Sequence, residues 1–219
     1  MTPLDADGAV VKCSAPPSYL WLKARIDWYV ALVALVLLAP VLLVVAFLVR
    51  RDGHRAFFRQ VRAGQRGCPF TLLKFRTMRP DTEPYGDSPQ HAADPRLTKL
   101  GKRLRETSLD ELPQIINVLR GEMSLVGPRP LYVQQMEEWN ARQRCRLLVQ
   151  PGLTGFAQIQ GRGSLTVEEK LERDVQYVQQ ISLRTDVGIL WHTVRGLWTR
   201  GGIYEIRYSK SQERRSGGA

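Results

Sequence analysis

Cysteine is scarce in this chain of 219 residues: three copies, Cys13, Cys68 and Cys145, scattered and odd in number. That excludes a disulfide framework and any zinc-knuckle spacing, and it predicts reduced thiols on the cytosolic side. Neither a Walker loop nor a dinucleotide fingerprint occurs, so neither nucleotide-cradle signature is available. No internal repeat is visible, which excludes a solenoid. Acidic residues are in deficit, 21 against 32 Lys and Arg, for a formal charge of +11. The 43% hydrophobic content is that of a folded protein and excludes a wholly disordered or collagen-like chain. Length bounds it to one ordinary domain or two small ones.

The excess charge has an address. Residues 1–27 balance, three basic residues against three acidic, whereas residues 50–79 carry nine basic residues against Asp52 alone. This basic block directly follows the one long apolar run, Trp28–Val49, twenty-two residues without a charge. As a helix the run would be about 33 Å long, enough to cross a hydrocarbon core, and it is apolar on every side. A cleaved signal peptide fits poorly, because the preceding 27 residues are mixed in charge and Phe47–Arg50 has no small-residue cleavage pattern. Six arginines between Arg50 and Arg66 put the C-terminal flank on the cytoplasmic side and suit anionic headgroups. Pro40, mid-run after Ala39, removes a backbone donor and predicts a bend. Residue physics leaves two topologies open: a kinked span, or a re-entrant helix returning to the same face.

Beyond the run, Ala56–Val61 and Phe70–Phe75 read as a β-hairpin, and residues 79–95, rich in proline, as a loop. Helices are expected at Arg96–Arg105, Asp110–Leu119, Leu131–Leu148 and Val167–Gln180. Within Asp186–Arg200, Val187, Leu190, Trp191, Val194 and Trp198 form one stripe, which suits a core face or an interfacial helix equally. The tail Ser209–Ala219 is polar, and disorder is expected there.

Asp110-Glu111 are adjacent carboxylates in Ser108-Leu-Asp-Glu-Leu-Pro-Gln. The bland reading is a capping box, Ser108 capping and Glu111 reaching back, but Pro113 would then sit inside the helix. A later start leaves both acids at a helix N-terminus, where anions are favoured. Lys74 and Arg76, two apart at a strand end, share a face. Arg129 lies between prolines, and the block Pro151–Arg162 has three glycines that allow close approach of backbone to a ligand.

Taken together these blocks change the reading. Phe57-Phe-Arg-Gln60, Lys74-Phe-Arg-Thr-Met78, Arg105 with Ser108–Gln114, Asn117-Val-Leu119, Gly121–Pro130 and Pro151–Arg162 stand in a fixed order over residues 20–208. The sequence closely resembles the bacterial polyprenyl-phosphate phosphoglycosyl transferases, small monotopic enzymes that prime glycan assembly. The resemblance implies Asp110 as a nucleophile on the β-phosphorus of a UDP-sugar, releasing UMP and leaving a covalent phosphosugar that polyprenyl phosphate then accepts. It implies Mg2+, with Asp110 and Glu111 as its ligands or Glu111 as proton handler. Arg105, Arg129, Lys74 and Arg76 are the expected phosphate-binding cations. Gly152, Thr154, Gly155, Gln158, Gly161 and Arg162 are expected on the nucleotide-sugar side.

The family's re-entrant helix breaks at a Ser-Pro pair; here Ala39-Pro40 stands in its place, so no hydroxyl serves the break. Lys23 and Asp27 match its charged membrane entry, and the usual Gly-Pro after the membrane segment is replaced by Gly53-His-Arg-Ala56. The expected fold is α+β, mainly α with a small β-hairpin, monotopic, with interfacial amphipathic helices. Its expected parts are a tail 1–22, a re-entrant helix 23–50, a cytoplasmic catalytic domain 51–208 and a flexible tail 209–219. Expected partners are a UDP-sugar, polyprenyl phosphate and anionic lipid of the bacterial inner membrane, with a homo-oligomer compatible. A rival reading is a basic membrane-docked interaction module, which would need neither the dyad nor Mg2+. Nucleic acid drops out, since no recognition motif accompanies the charge.

Overall fold

The computed structural model describes residues 13–51, 55–79, 81–82, 89, 93–161 and 165–198. Helix α1 runs Pro17–Arg51, thirty-five residues, with Pro40 inside it. It begins six residues earlier than the expected membrane segment. Proline at the first helical position is pre-set for the turn and sacrifices no bond there. The helical assignment continues through Pro40 without interruption.

One stripe of α1 faces protein: Lys23, Asp27, Ala31, Val45 and Val49 are buried. The rest faces outward, with Val33, Val36, Leu37, Leu43, Val44 and Phe47 each more than half exposed. Water is an unfavourable neighbour for so much apolar surface, at about 25 cal/mol per Å². It is the one helix, among the described residues, long and apolar enough to cross a membrane. Both of its ends nevertheless rest on the same globular part. Tyr19 and Leu20 pack on the cluster of Val126, Val149, Tyr177, Val178, Ile181 and Ile189. Ala31, Leu35 and Leu38 join Phe70, Leu72, Ile115, Val118 and Met123. Val45 and Val49 close on Phe75 and Leu104.

The hairpin forms as expected, with slightly longer arms. Strands β1, Phe57–Ala63, and β2, Pro69–Phe75, are antiparallel, with Phe57 opposite Phe75 and Ala63 opposite Pro69. Their inner residues Leu72, Leu73 and Phe75 are buried. Helix α2, Lys99–Glu106, is capped by Thr98, whose hydroxyl accepts from the Gly101 amide. A 3-10 turn, Leu109–Glu111, then leads into α3, Gln114–Leu119. Asn117, fully buried, fastens α3 to the hairpin: its amide donates to Thr71 O at 2.8 Å and its Oδ1 accepts from Leu73 N at 3.1 Å.

A second small sheet has no sequence signal. Strand β3, Ser124–Val126, pairs in parallel with β4, Gly152–Thr154. Three-residue strands are too short for periodicity to register. The single helix expected over Leu131–Leu148 is instead three short pieces: a 3-10 turn Gln134–Glu137, α4 at Ala141–Arg144 with an Asn140 capping box, and a 3-10 turn Cys145–Leu148. The cap restarts the chain at Asn140 and ends the long pattern. After α5, Phe156–Ile159, helix α6 runs Val167–Gln180, as expected, from a Thr166–Glu169 capping box.

Helix α7, Leu183–Trp198, turns Asp186 and Ile189 inward. Of the stripe, Val187, Trp191 and Val194 face outward with Leu183, each more than half exposed, whereas Leu190 packs on the cluster around Tyr177 and the side chain of Trp198 lies outside the described residues. A buried polar knot joins α1 to β3, α6 and α7. Lys23 lies 3.3 Å from Asp27 and 2.9 Å from Asp186. Ser124 Oγ donates to Asp27 at 2.6 Å, and Tyr19 and Tyr177 reach Asp186 at 2.8 and 2.7 Å. The expected tail 209–219, Arg162 and most of the proline-rich loop lie outside the described residues. The three cysteines are unpaired.

Candidate active site

The dyad sits on a strained turn. Ser108 adopts φ 56°, ψ 16°, a left-handed conformation that L residues seldom take, and its side chain makes no cap. The capping-box reading therefore fails. The chain reverses at Ser108, and Pro113 opens α3, where its missing donor is harmless. Asp110 and Glu111 are left on the intervening 3-10 turn.

Three separate elements bring cations to this turn. Lys74, near the end of β2, donates from Nζ to Glu111 Oε1 at 2.7 Å. Arg129, on the loop after β3, reaches the same oxygen at 3.1 Å. Arg105, from the last turn of α2, is held by Thr77 Oγ1 at 3.0 Å and acts on Asp110 through its charge. Arg76 is not brought to the dyad: its guanidinium lies 5.8 Å from the Phe58 ring, and its Nε has no partner among the described residues.

The two carboxylates are pushed in opposite directions. Asp110 is 6% exposed, and burial together with the Glu111 charge pushes its carboxyl up to about 6, against the pull of Lys74, Arg105 and Arg129. Burial also works against the charge on Glu111, but the attraction and hydrogen bonds of Lys74 and Arg129 outweigh it and hold Glu111 well below the usual carboxylate range. Two adjacent titrating groups driven apart are the pattern of a site with divided roles.

The glycine-rich block reaches the site indirectly. A Cβ on Gly152 would fall 2.0 Å from Gly127 N, and one on Gly155 would fall 2.3 Å from Gly127 O. The need for glycine here comes from the chain's own backbone. Gly127 N donates to Thr154 O at 2.8 Å and Gly152 N to Pro128 O at 2.9 Å, which buttresses the loop carrying Arg129. Thr154 Oγ1 lies 2.7 Å from Thr193 Oγ1 on α7. Gln158 has both amide atoms buried without a partner among the described residues. Gly161 ends the described part of the block with φ 151°.

A family model described as bacterial sugar transferase matches residues 18–200, which contain every element of the dyad site. The chain belongs to the bacterial sugar transferases. It is 42% identical over 188 residues to the sugar transferase EpsL of Bacillus subtilis, a match covering 85% of this chain and 92% of that protein. It is 40% identical to the UDP-glucose:undecaprenyl-phosphate glucose-1-phosphate transferase of Caulobacter vibrioides, over 83% of this chain and 72% of that one. A sugar transferase of Haemophilus influenzae is 38% identical over 84% of this chain, which spans only 42% of that longer protein.

Several residues organise the site of this sugar transferase in roles that no sequence pattern announces. Thr77 holds Arg105, and Asn117 holds α3 against the strand bearing Lys74. Arg146 and Asp174 form a pair, each 2% exposed, behind Arg129. No local spacing announces partners 28 to 46 residues apart. Among the described residues no cluster of three or more potential metal ligands occurs, so a cation at this site would rest on Asp110 and Glu111. The donor set suits a hard cation, because Asp110 is a buried carboxylate without a hydrogen-bond donor of its own among the described residues.

Proposed function

We propose that this protein transfers a sugar phosphate from a UDP-sugar to polyprenyl phosphate, releasing UMP, through a covalent phosphosugar on Asp110. The observation that carries the reading is the polarised dyad. One carboxylate is fixed as an anion by two cations, and its neighbour is buried with its pKa raised to about 6. A carboxylate of raised basicity that is still ionised at neutral pH is a competent phosphoryl acceptor.

In the first step an Asp110 oxygen attacks the β-phosphorus. The bond from that phosphorus to the oxygen bridging to the α-phosphorus breaks, and UMP leaves with the electron pair. In the second step a phosphate oxygen of the polyprenyl phosphate attacks the same phosphorus, and the Asp110 carboxylate is released. Arg129 and Lys74 neutralise charge growing on the phosphoryl oxygens, and Arg105 opposes the repulsion between Asp110 and the incoming diphosphate. Mg2+, held by Asp110 and Glu111, would supply the remaining neutralisation of the diphosphate. Arg76, Gly152, Thr154, Gly155, Gln158, Gly161 and Arg162 are assigned to the wider substrate surface, with Gln158 supported by its unpartnered amide.

The acceptor is a lipid, which suits a monotopic, re-entrant arrangement of α1 in the inner membrane, with the dyad on the cytoplasmic face. Support comes from the contacts of both ends of α1 with one globular part and from the outward apolar faces of α1 and α7. The basic block after Val49 suits anionic headgroups. UMP release from a panel of UDP-sugars, with polyprenyl phosphate and Mg2+ in detergent, tests the reaction. Turnover that requires Asp110 supports it, and an inert protein across the panel opposes it. Single cysteines near residues 5 and 60, in a chain with Cys13, Cys68 and Cys145 replaced and in intact cells, test the topology. Labelling of the first alone by an impermeant reagent would establish a span.

A further inference from the structure

Arg146 and Asp174 are the most deeply buried charged pair among the described residues, and the dyad chemistry does not use them. Arg146 sits on the 3-10 turn Cys145–Leu148, and Asp174 sits on α6. The guanidinium donates to Asp174 Oδ2 at 2.6 Å through Nη2 and 3.1 Å through Nε. The same Nη2 donates at 2.5 Å to the backbone carbonyl of Arg129. Its flat face lies 4.9 Å from the Trp139 ring. Burial works against the charge on Asp174, and Arg146 and the Arg129 backbone oppose that effect.

Stability alone does not account for such a pair. Desolvating two charges costs several kcal/mol each, and apolar residues of similar shape commonly replace such a pair without loss of stability. Its distinguishing contact is the carbonyl of the residue whose side chain reaches Glu111. The residues before it are already fixed, Gly127 and Pro128 by β4, and beyond it Leu131 O accepts from Ala63 N at 2.9 Å. Two charged side chains reach carbonyls of this loop: Arg62 meets Pro130 O only at 3.5 Å, whereas buried Arg146 holds the Arg129 carbonyl at 2.5 Å.

We propose that the Arg146–Asp174 pair is a positioning device for Arg129, setting the direction from which its guanidinium meets Glu111 and the transferring phosphate. This rests on the reading of Arg129 as a phosphate-neutralising group. A misplacement of about 1 Å at the Arg129 guanidinium is enough to cost about a hundredfold in rate. The effect falls on turnover more than on donor binding, because the diphosphate retains Lys74 and Arg105.

The test uses the full chain in detergent, with Asp174→Asn and the paired apolar replacement Arg146→Met with Asp174→Leu. Melting temperature, UMP-release kcat and KM, and amide hydrogen exchange over residues 127–131 are measured for each. The expected result for the double variant is a melting temperature within a few degrees of the parent. Its kcat falls tenfold or more, its KM stays within threefold, and exchange at 129–131 is faster. Asp174→Asn, which keeps the shape and an acceptor, gives a smaller kcat loss in the same direction. A folded double variant with parental kcat and parental exchange overturns the proposal. Should the double variant not fold, Asp174→Asn decides on the same two readouts. A parent that releases no UMP from any UDP-sugar refutes the functional reading instead, and exchange at 129–131 then judges the pair by itself.

Discussion

Lys74 Nζ stands 2.7 Å from Glu111 Oε1, across 37 positions of chain, and joins the end of a hairpin strand to the turn that carries the dyad. With Arg129 on the same oxygen, Glu111 is committed to the charged state, and Asp110 bears the consequence of being its buried neighbour.

Lys74 and Glu111 act as one unit, so their substitutions will not add. Glu111→Gln is expected to lower kcat by two orders of magnitude or more, and Lys74→Met by about tenfold. The double variant should lose less than the product of the two single losses, because part of the effect of Lys74 is made through Glu111 and part on the phosphates. Steady-state UMP release over the four-member cycle measures this. Strict multiplicativity would place Lys74 on the substrate independently of Glu111.

The raised pKa of Asp110 gives the rate an acid limb. Activity should fall as pH drops through about 6, where the nucleophile takes up a proton. Higher Mg2+ competes with that proton and moves the limb down. Arg105→Gln removes a cation that pulls Asp110 down, so the limb moves up. A pH profile of kcat/KM at two Mg2+ concentrations, for parent and variant, checks both directions.

Linkage gives a matching sign for stability. The folded protein binds a proton at Asp110 more tightly than the unfolded chain does. Without metal, stability therefore falls as pH rises from about 4 to about 6 through this group, and the penalty persists above it. Asp110→Asn removes the buried charge and should raise the melting temperature at pH 7.5 by a few degrees while abolishing turnover. Scanning calorimetry in EDTA measures it, and a lower melting temperature would contradict the burial argument.

Gly152 should not tolerate a side chain. Gly152→Ala drives its methyl carbon onto the Gly127 amide nitrogen, where only backbone can yield. The expected result is a loss of several kcal/mol or a displaced Arg129 loop, measured by denaturant melts together with kcat. Asn117→Ala leaves Leu73 N without its acceptor in the core and is expected to cost about 2–3 kcal/mol.

What the residues disclosed in advance was what local pattern encodes. The apolar run, the hairpin and α6 follow from hydropathy, short β-like runs about a glycine turn and helical periodicity, each contained within its own segment. The dyad and its cations were legible because their blocks stand in a family order. The left-handed Ser108, the β3–β4 pair and the broken stretch after Leu131 were not. The β3–β4 pair depends on distant chain, Gly127 against Gly152, as does the docking of α3 on the hairpin through Asn117, while the stretch after Leu131 is broken by the Asn140 cap. The glycines of Pro151–Arg162 are expected from sequence to let backbone approach a ligand closely. At Gly152 and Gly155 the approaching backbone is the protein's own.

The most direct measurement of the central claim is intact-protein mass spectrometry after incubation with a UDP-sugar and Mg2+ in the absence of polyprenyl phosphate. The account predicts an adduct of one sugar phosphate on Asp110, formed with one equivalent of UMP, discharged by added polyprenyl phosphate and absent from Asp110→Asn. An Asp110→Asn protein that releases UMP at the parental rate would contradict it.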